Sequence, residues 1–172
     1  MKYAGVIPND TVDVDKGLAV SFWVQGCPHH CPGCHNPETW DKDGGYELPP
    51  DYIQRIEKLL KKNGIRRNLS ILGGEPLCDD NISTVFSLLM VVKHDMPWTK
   101  TFVWTGGKFE ALKLVYLFTM KLIDVLIDGP FDITQRDITL PLRGSPNQRI
   151  IDVQASLQLN KTILIPDSQF KE

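Results

Sequence analysis

Three of the chain's four cysteines, Cys27, Cys31 and Cys34, fall in one short segment, Gly26-Cys27-Pro28-His29-His30-Cys31-Pro32-Gly33-Cys34-His35-Asn36. A small secreted domain spreads its cysteines to staple distant loops, whereas crowding of this kind points to a metal or a cluster. The spacing C-x3-C-x2-C places three thiolates on one tight loop. Iron–sulfur clusters are normally held by four cysteines, so three local ligands leave one iron without a protein partner. An open iron is a binding position, just as an open coordination position distinguishes catalytic from structural zinc. The competing reading of the loop is a structural zinc staple, with the three thiolates completed by His29, His30 or His35. Adjacent residues in such a loop point in different directions. Most of these histidines are expected to face solvent or to bond the backbone.

The elements that position this loop follow from hydrophobic periodicity. Leu18 to Gln25 is an apolar, β-branched and aromatic run punctuated by Gly26, which reads as a buried strand. Asn68 to Leu72, Thr101 to Thr105 and Leu122 to Ile127 read as further strands, with Arg149 to Val153 and Thr162 to Ile165 as weaker ones. Between them, Asp51 to Asn63, a segment carrying Ile82, Val85, Phe86, Leu89 and Val92, and Phe109 to Thr119 show helical spacing. Asp80 or Asn81 is placed to cap the second of these, and Pro97 closes it. Strands alternating with helices of this length mean β-α-β units and a parallel sheet, open or forming a small, incomplete barrel, since a complete one typically takes about 250 residues. The Cys loop, Gly73-Gly74-Glu75-Pro76, Thr105-Gly106-Gly107 and Asp128-Gly129 each follow the C-terminal end of a strand. In a parallel sheet those ends share one rim, where active sites of such folds gather.

Composition narrows the classes. With 172 residues, 42% hydrophobic and 23% charged, the chain has ordinary globular proportions and is read as one domain over residues 1–172. Nineteen basic against twenty-one acidic residues leave a formal charge of -2, which makes no electrostatic case for nucleic acid or an anionic membrane. The N-terminus has no apolar run of signal-peptide length, and no stretch approaches the roughly 20 residues of a membrane span. The expectation is a soluble, cytoplasmic protein.

Taken together the motifs carry a resemblance. C-x3-C-x2-C after the first of these strands and Gly-Gly-Glu-Pro after the second resemble the radical S-adenosylmethionine superfamily. GCPHHCPGCHNPETW, ILGGEP, FVWTG, DVLIDGPF and RGSPNQR then follow in the order and at about the spacing of the anaerobic ribonucleotide reductase activating proteins. The match runs from about Val12 to Arg149, with residues 150–172 as a C-terminal extension of unknown role. The resemblance implies an incomplete (β/α) barrel of the radical S-adenosylmethionine type, and a [4Fe–4S] cluster on Cys27, Cys31 and Cys34. It implies S-adenosylmethionine as second cofactor, reductively cleaved to place a glycyl radical on the anaerobic reductase, with a low-potential donor such as flavodoxin. Gly73, Gly74 and Glu75 would receive the methionyl end of the cofactor. Gly33, Cys34 and His35 would lie by its adenine or ribose. Gly33 stands where other members of the superfamily usually have an aromatic, as it does in the activating proteins. Thr105-Gly106 resembles a Trp-Thr-Gly-Tyr segment, with Gly107 in place of the aromatic. Phe109 either replaces that aromatic or is core, and Trp104 is read as a packed strand residue.

Asp128 either faces the cofactor pocket or caps the turn at Gly129-Pro130. Arg143 to Arg149 is a candidate contact for cofactor or reductase, and Cys78 is read as a structural or idle thiol. Two other functions stand beside this one. One is a different radical S-adenosylmethionine enzyme, acting on another glycyl-radical protein or on a small molecule. The other is a zinc-stapled α/β binding module without catalysis.

Overall fold

A computed structural model describes residues 1–170. The chain runs β1 (Lys2–Asp10), β2 (Ala19–Val24), β3 (Tyr46–Glu47), α1 (Tyr52–Leu60), β4 (Asn68–Gly73), α2 (Ile82–Asp95), β5 (Thr101–Thr105), α3 (Phe109–Val115), α4 (Leu117–Met120), β6 (Val125–Asp128), β7 (Arg149–Asp152), α5 (Val153–Leu159) and β8 (Ile163–Leu164). All eight strands form one sheet in the order β3-β1-β2-β4-β5-β6-β7-β8.

The central four strands, β2, β4, β5 and β6, pair in parallel, as β-α-β units require. The flanking strands do not. β1 runs antiparallel to β2 and β3, and β7 runs antiparallel to β6 and β8. The all-parallel sheet expected from the sequence is therefore corrected to a mixed one. Among the described residues its end strands β3 and β8 do not pair with each other, so the sheet is not closed, and the incomplete barrel that the resemblance implies is not confirmed. β1 escaped the periodicity reading because its register shifts twice, between Tyr3 and Gly5 and between Ile7 and Asp10, where Pro8 lies. Such irregularities erase the two-residue alternation, and proline is tolerated in strands mainly at bulges and edges.

Alternation along the inner strands sends side chains to two cores. Phe22, Ile71, Val103, Leu126 and Ile151 join Ile56 and Leu60 of α1 and Val85, Leu88, Leu89 and Val92 of α2. Phe102, Val125, Ile127 and Ile150 face the other way, against Trp104, Leu142, Ile165 and Phe170. Buried strands of this kind read as continuous apolar runs because both faces are covered.

Several boundaries shift. The helix expected over Phe109 to Thr119 breaks at Tyr116, whose φ of -120° and ψ of 42° are not helical, giving α3 and α4. The Asp51 to Asn63 segment ends its α-helix at Leu60 and continues as a short 3-10 turn over Lys62–Gly64. The extension holds α5, which starts where the Asp152 carboxylate accepts from the Ala155 N–H at 2.9 Å and ends at left-handed Asn160. Residues 171 and 172 of that extension lie outside the described residues. No helix among the described residues is long and apolar enough to cross a membrane.

Candidate functional site

The C-terminal ends of β2, β4, β5 and β6 deliver the four sequence motifs to one rim. The cysteine loop leaves β2 at Gln25, and its first residues are held on two sides. Gly26 and Cys27 donate their N–H groups to the carbonyls of Thr39 and Trp40 at 2.8 and 3.1 Å. On the other side the Gly26 carbonyl accepts from the Glu75 N–H at 2.8 Å, and the Val24 carbonyl from the Gly74 N–H at 2.9 Å. The β2–β4 ladder thus continues past both strands into the two motifs.

This contact explains the glycine pair. Gly73 sits at φ 103°, in the region that favours glycine, and a Cβ there would lie 2.7 Å from the Val24 carbonyl oxygen. A Cβ on Gly74 would overlap the Gly26 backbone. The space is therefore occupied by the cysteine loop's own backbone, and the glycines let the two loops touch.

Asn81 completes the seam. It occupies the N-cap position of α2, where sequence reasoning placed a capping side chain, but it makes no capping bond. Its buried amide donates instead to the carbonyls of Gln25 and Glu75, both at 3.0 Å, and of Gly26 at 3.4 Å. Nothing in the sequence distinguishes this use from a cap.

The Glu75 carboxylate is buried and fully engaged. Oε1 accepts from the Leu77 N–H at 3.0 Å, while Oε2 accepts from the Gly106 N–H at 2.8 Å and from His29 Nε2 at 2.7 Å. The Glu75 hydrogen bond pulls the His29 pKa upward. His29 thus departs from the expectation that the loop's histidines face solvent or bond the backbone, and it is the residue that sequence reasoning undervalued. His30, at φ 45°, stacks on Trp40 with ring centroids 4.8 Å apart, and His35 lies 6.0 Å from Phe131. Gly33 has φ 73°, and a Cβ there would meet Ile133 at 2.5 Å.

Asp128 neither caps the turn at Gly129-Pro130 nor is left free. Its completely buried carboxylate accepts from the Phe109 N–H at 2.8 Å and from Arg149 Nε at 2.8 Å, and Arg149 Nη2 also reaches it. Arg149 in turn forks onto Glu110, whose carboxyl it holds down at about 2. Thr105 is buried, with its hydroxyl accepting from the Gly107 N–H at 3.0 Å. Phe109 is core, and Trp104 donates to the Leu142 carbonyl at 2.7 Å as a packed strand residue. The Arg143 to Arg149 loop is bound into the fold: Arg143 makes a bidentate pair with Asp167 at 2.7 Å, and Ser145 is fully buried.

All four thiols are free and half-buried. Burial pushes the Cys27 and Cys78 thiols up, which favours their protonated forms. Cys78 and Cys27 line one cavity of about 300 Å³ with Pro28, Trp40, Lys42 and Asp80. No three His, Cys, Asp or Glu side chains among the described residues converge on a single-ion site. A cluster makes a different demand: each thiolate binds its own iron, and the group spans several ångströms. Three free thiols on one irregular loop beside an open rim fit that donor set.

The family of 4Fe-4S single cluster domains matches residues 15–151, which spans every rim motif. An anaerobic ribonucleoside-triphosphate reductase-activating protein of Haemophilus influenzae is 36% identical over 151 residues, 87% of this chain and 97% of the relative. Proteins of the same name from Salmonella typhimurium and Enterobacteria phage T4 are each 34% identical, over 86% and 87% of this chain and 96% and 93% of the relatives. These relatives favour neither the zinc-stapled module nor another radical enzyme. Similarity of this extent, carried through the cysteine loop and the strand ends that hold it, shows that the chain belongs to the anaerobic ribonucleoside-triphosphate reductase-activating proteins, built on a 4Fe-4S single cluster domain.

Proposed function

We propose that the chain generates the glycyl radical of an anaerobic ribonucleotide reductase, using a [4Fe–4S] cluster on Cys27, Cys31 and Cys34 and S-adenosylmethionine as cofactor. When bound, these groups would supply the one-electron reductive cleavage of the sulfonium from which hydrogen abstraction at a glycine α-carbon of the reductase follows. The electron comes from a low-potential donor of the flavodoxin kind.

The chain's own residues bind, orient and shield. Cys27, Cys31 and Cys34 would hold the cluster, and the position that three ligands leave open would take the cofactor. Carbonyls of the Gly73-Gly74 turn would receive the methionyl end, since the Gly74 and Glu75 N–H groups and the Glu75 carbonyl already bind the cysteine loop's root and Asn81. The Glu75 side chain acts mainly by orienting loops, since both its oxygens already accept hydrogen bonds. Gly33 and His35 face the nucleoside end. Thr105 and Asp128 support the floor of the pocket, Asp128 through the Phe109 N–H and Arg149 that it binds. Because the sheet is not closed, the chain does not wall off the rim by itself, and the glycine-bearing loop of the reductase completes the enclosure.

The observation that carries this reading is the continuous seam between the cysteine loop and the Gly-Gly-Glu-Pro turn. Low-temperature EPR of anaerobically reconstituted, reduced protein tests it. A [4Fe–4S]⁺ signal that changes on adding S-adenosylmethionine, with a glycyl radical on added reductase, is the expected result. A silent sample holding tight zinc would overturn it.

A further inference from the structure

His29 sits inside the cysteine loop, between Cys27 and Cys31, yet its ring is bound to neither neighbour. It reaches across the rim to two other motifs. Nε2 donates to Glu75 Oε2 at 2.7 Å, and the same carboxylate oxygen accepts from the Gly106 N–H at 2.8 Å. The flat of the ring then lies on Gly106: a Cβ at that position would be 2.5 Å from Cδ2, 2.7 Å from Nε2 and 2.8 Å from Cγ of His29. Real Cβ contacts do not come so close. The crowded atoms include the ring's root as well as its tip, so rotation of the tip does not relieve the clash. One imidazole is therefore held on its edge by the turn after β4 and on its face by the turn after β5.

We propose that His29 is a positioning residue that holds the cysteine loop in register with the Gly-Gly-Glu-Pro turn, and that Gly106 lacks a side chain so that the imidazole can seat there. This rests on the reading of Cys27, Cys31 and Cys34 as cluster ligands. The backbone seam at Gly26 and Glu75 fixes only the root of the loop, whereas the His29 bond fixes the arm between the first two ligands. A cluster carried on that arm keeps a constant separation from the turn that receives the methionyl end of S-adenosylmethionine. Losing the latch leaves the thiols intact and the separation variable.

Four variants test this: His29→Ala, His29→Gln, Gly106→Ala, and the double change His29→Ala with Gly106→Ala. Each is reconstituted anaerobically, its iron and sulfide are measured, and its reduced EPR spectrum is titrated with S-adenosylmethionine. His29→Ala is expected to take up cluster but to bind S-adenosylmethionine roughly tenfold more weakly, in line with loss of a hydrogen bond to a buried carboxylate, and to broaden the cofactor-dependent signal. His29→Gln, which retains an amide donor able to reach Glu75, is expected to restore most of that affinity. Gly106→Ala is expected to show the same defect by displacing an unaltered histidine. The double variant is then no worse than either single change, because both break one latch. Normal affinity and an unchanged spectrum in His29→Ala would overturn the inference, as would additive losses in the double variant. If the unaltered protein itself takes up no cluster, or its signal ignores S-adenosylmethionine, the underlying cofactor reading is what fails, and this inference goes with it.

Discussion

The two ends of the parallel strands both bury carboxylates, and they use them differently. Where the strands begin, Asp10 accepts from the Ser21 hydroxyl at 2.5 Å and from the N–H groups of Val12 and Asp13. At the same end the partly exposed Asp124 accepts from Lys93 at 2.5 Å and from the N–H and hydroxyl of Thr101. These bonds fasten the entry to a strand to the element beside it, and their partners lie within two adjacent elements. At the rim, Glu75 is shared by its own turn, the turn after β5 and the cysteine loop, while the half-buried thiols are partnered, among the described residues, only by backbone N–H groups, such as that of Asn36 on Cys34 Sγ at 3.4 Å. The strand beginnings are closed on themselves. The rim spends its polar groups on tying loops together and leaves its sulfur atoms available, as a binding site must.

That contrast is sharpest in the cysteines. Replacing Cys27, Cys31 or Cys34 by Ser is expected to abolish nearly all cluster uptake, read as iron and acid-labile sulfide, while Cys78→Ser keeps the full content. Loss of the cluster in Cys78→Ser would mean that the fourth thiol is a ligand and the open iron an error.

Next in size is a matched pair. Asn81→Leu removes a buried amide from three carbonyls and is expected to cost about 2–3 kcal/mol in urea unfolding, with lower cluster retention. Asp124→Asn, at the other end, is expected to cost about 1–2 kcal/mol through its Lys93 and Thr101 partners with cluster content untouched. Equal effects of the two changes on the cluster would erase the distinction between the ends.

A pH experiment probes the strand beginnings alone. Burial, with the nearby Asp10 charge, raises the Asp13 carboxyl to about 7. The folded state thus favours the neutral form, so the contribution to stability is complete below about pH 4 and is lost as pH rises through 7. Asp13→Asn is expected to flatten that fall and to gain at least about 1 kcal/mol at pH 8. A variant whose stability falls with pH as before would remove Asp13 as the cause. The smallest effect belongs to Glu110→Gln, where a largely exposed partner of Arg149 is lost and about 0.5 kcal/mol is expected from thermal unfolding.

Much of the site was legible because its signals are local. The crowded cysteines, the glycine pairs and the apolar runs before them put four motifs at strand ends without any coordinates. The parallel order of the four inner strands followed from the helices between them. Of the antiparallel flanks, β7 and β8 were legible only as weak strands without a direction, being short, and β1 went unread because it carries Gly5, Pro8 and two register shifts. The extension's helix went unread although Asp152 and Asn160 mark its ends, since its seven residues span only two turns.

By itself, then, the sequence determined that three thiols crowd one loop and that this loop and the Gly-Gly-Glu-Pro turn share a rim, since C-x3-C-x2-C and the turn are fixed by covalent neighbourhood. Only the tertiary structure decided what holds them together. Asn81 meets carbonyls more than fifty residues earlier, and His29 meets a carboxylate forty-six residues later. Gly74 needs its missing Cβ because of Gly26, and Gly106 because of His29. Such pairings leave no periodic trace in the chain, because they depend on which loops the sheet brings side by side.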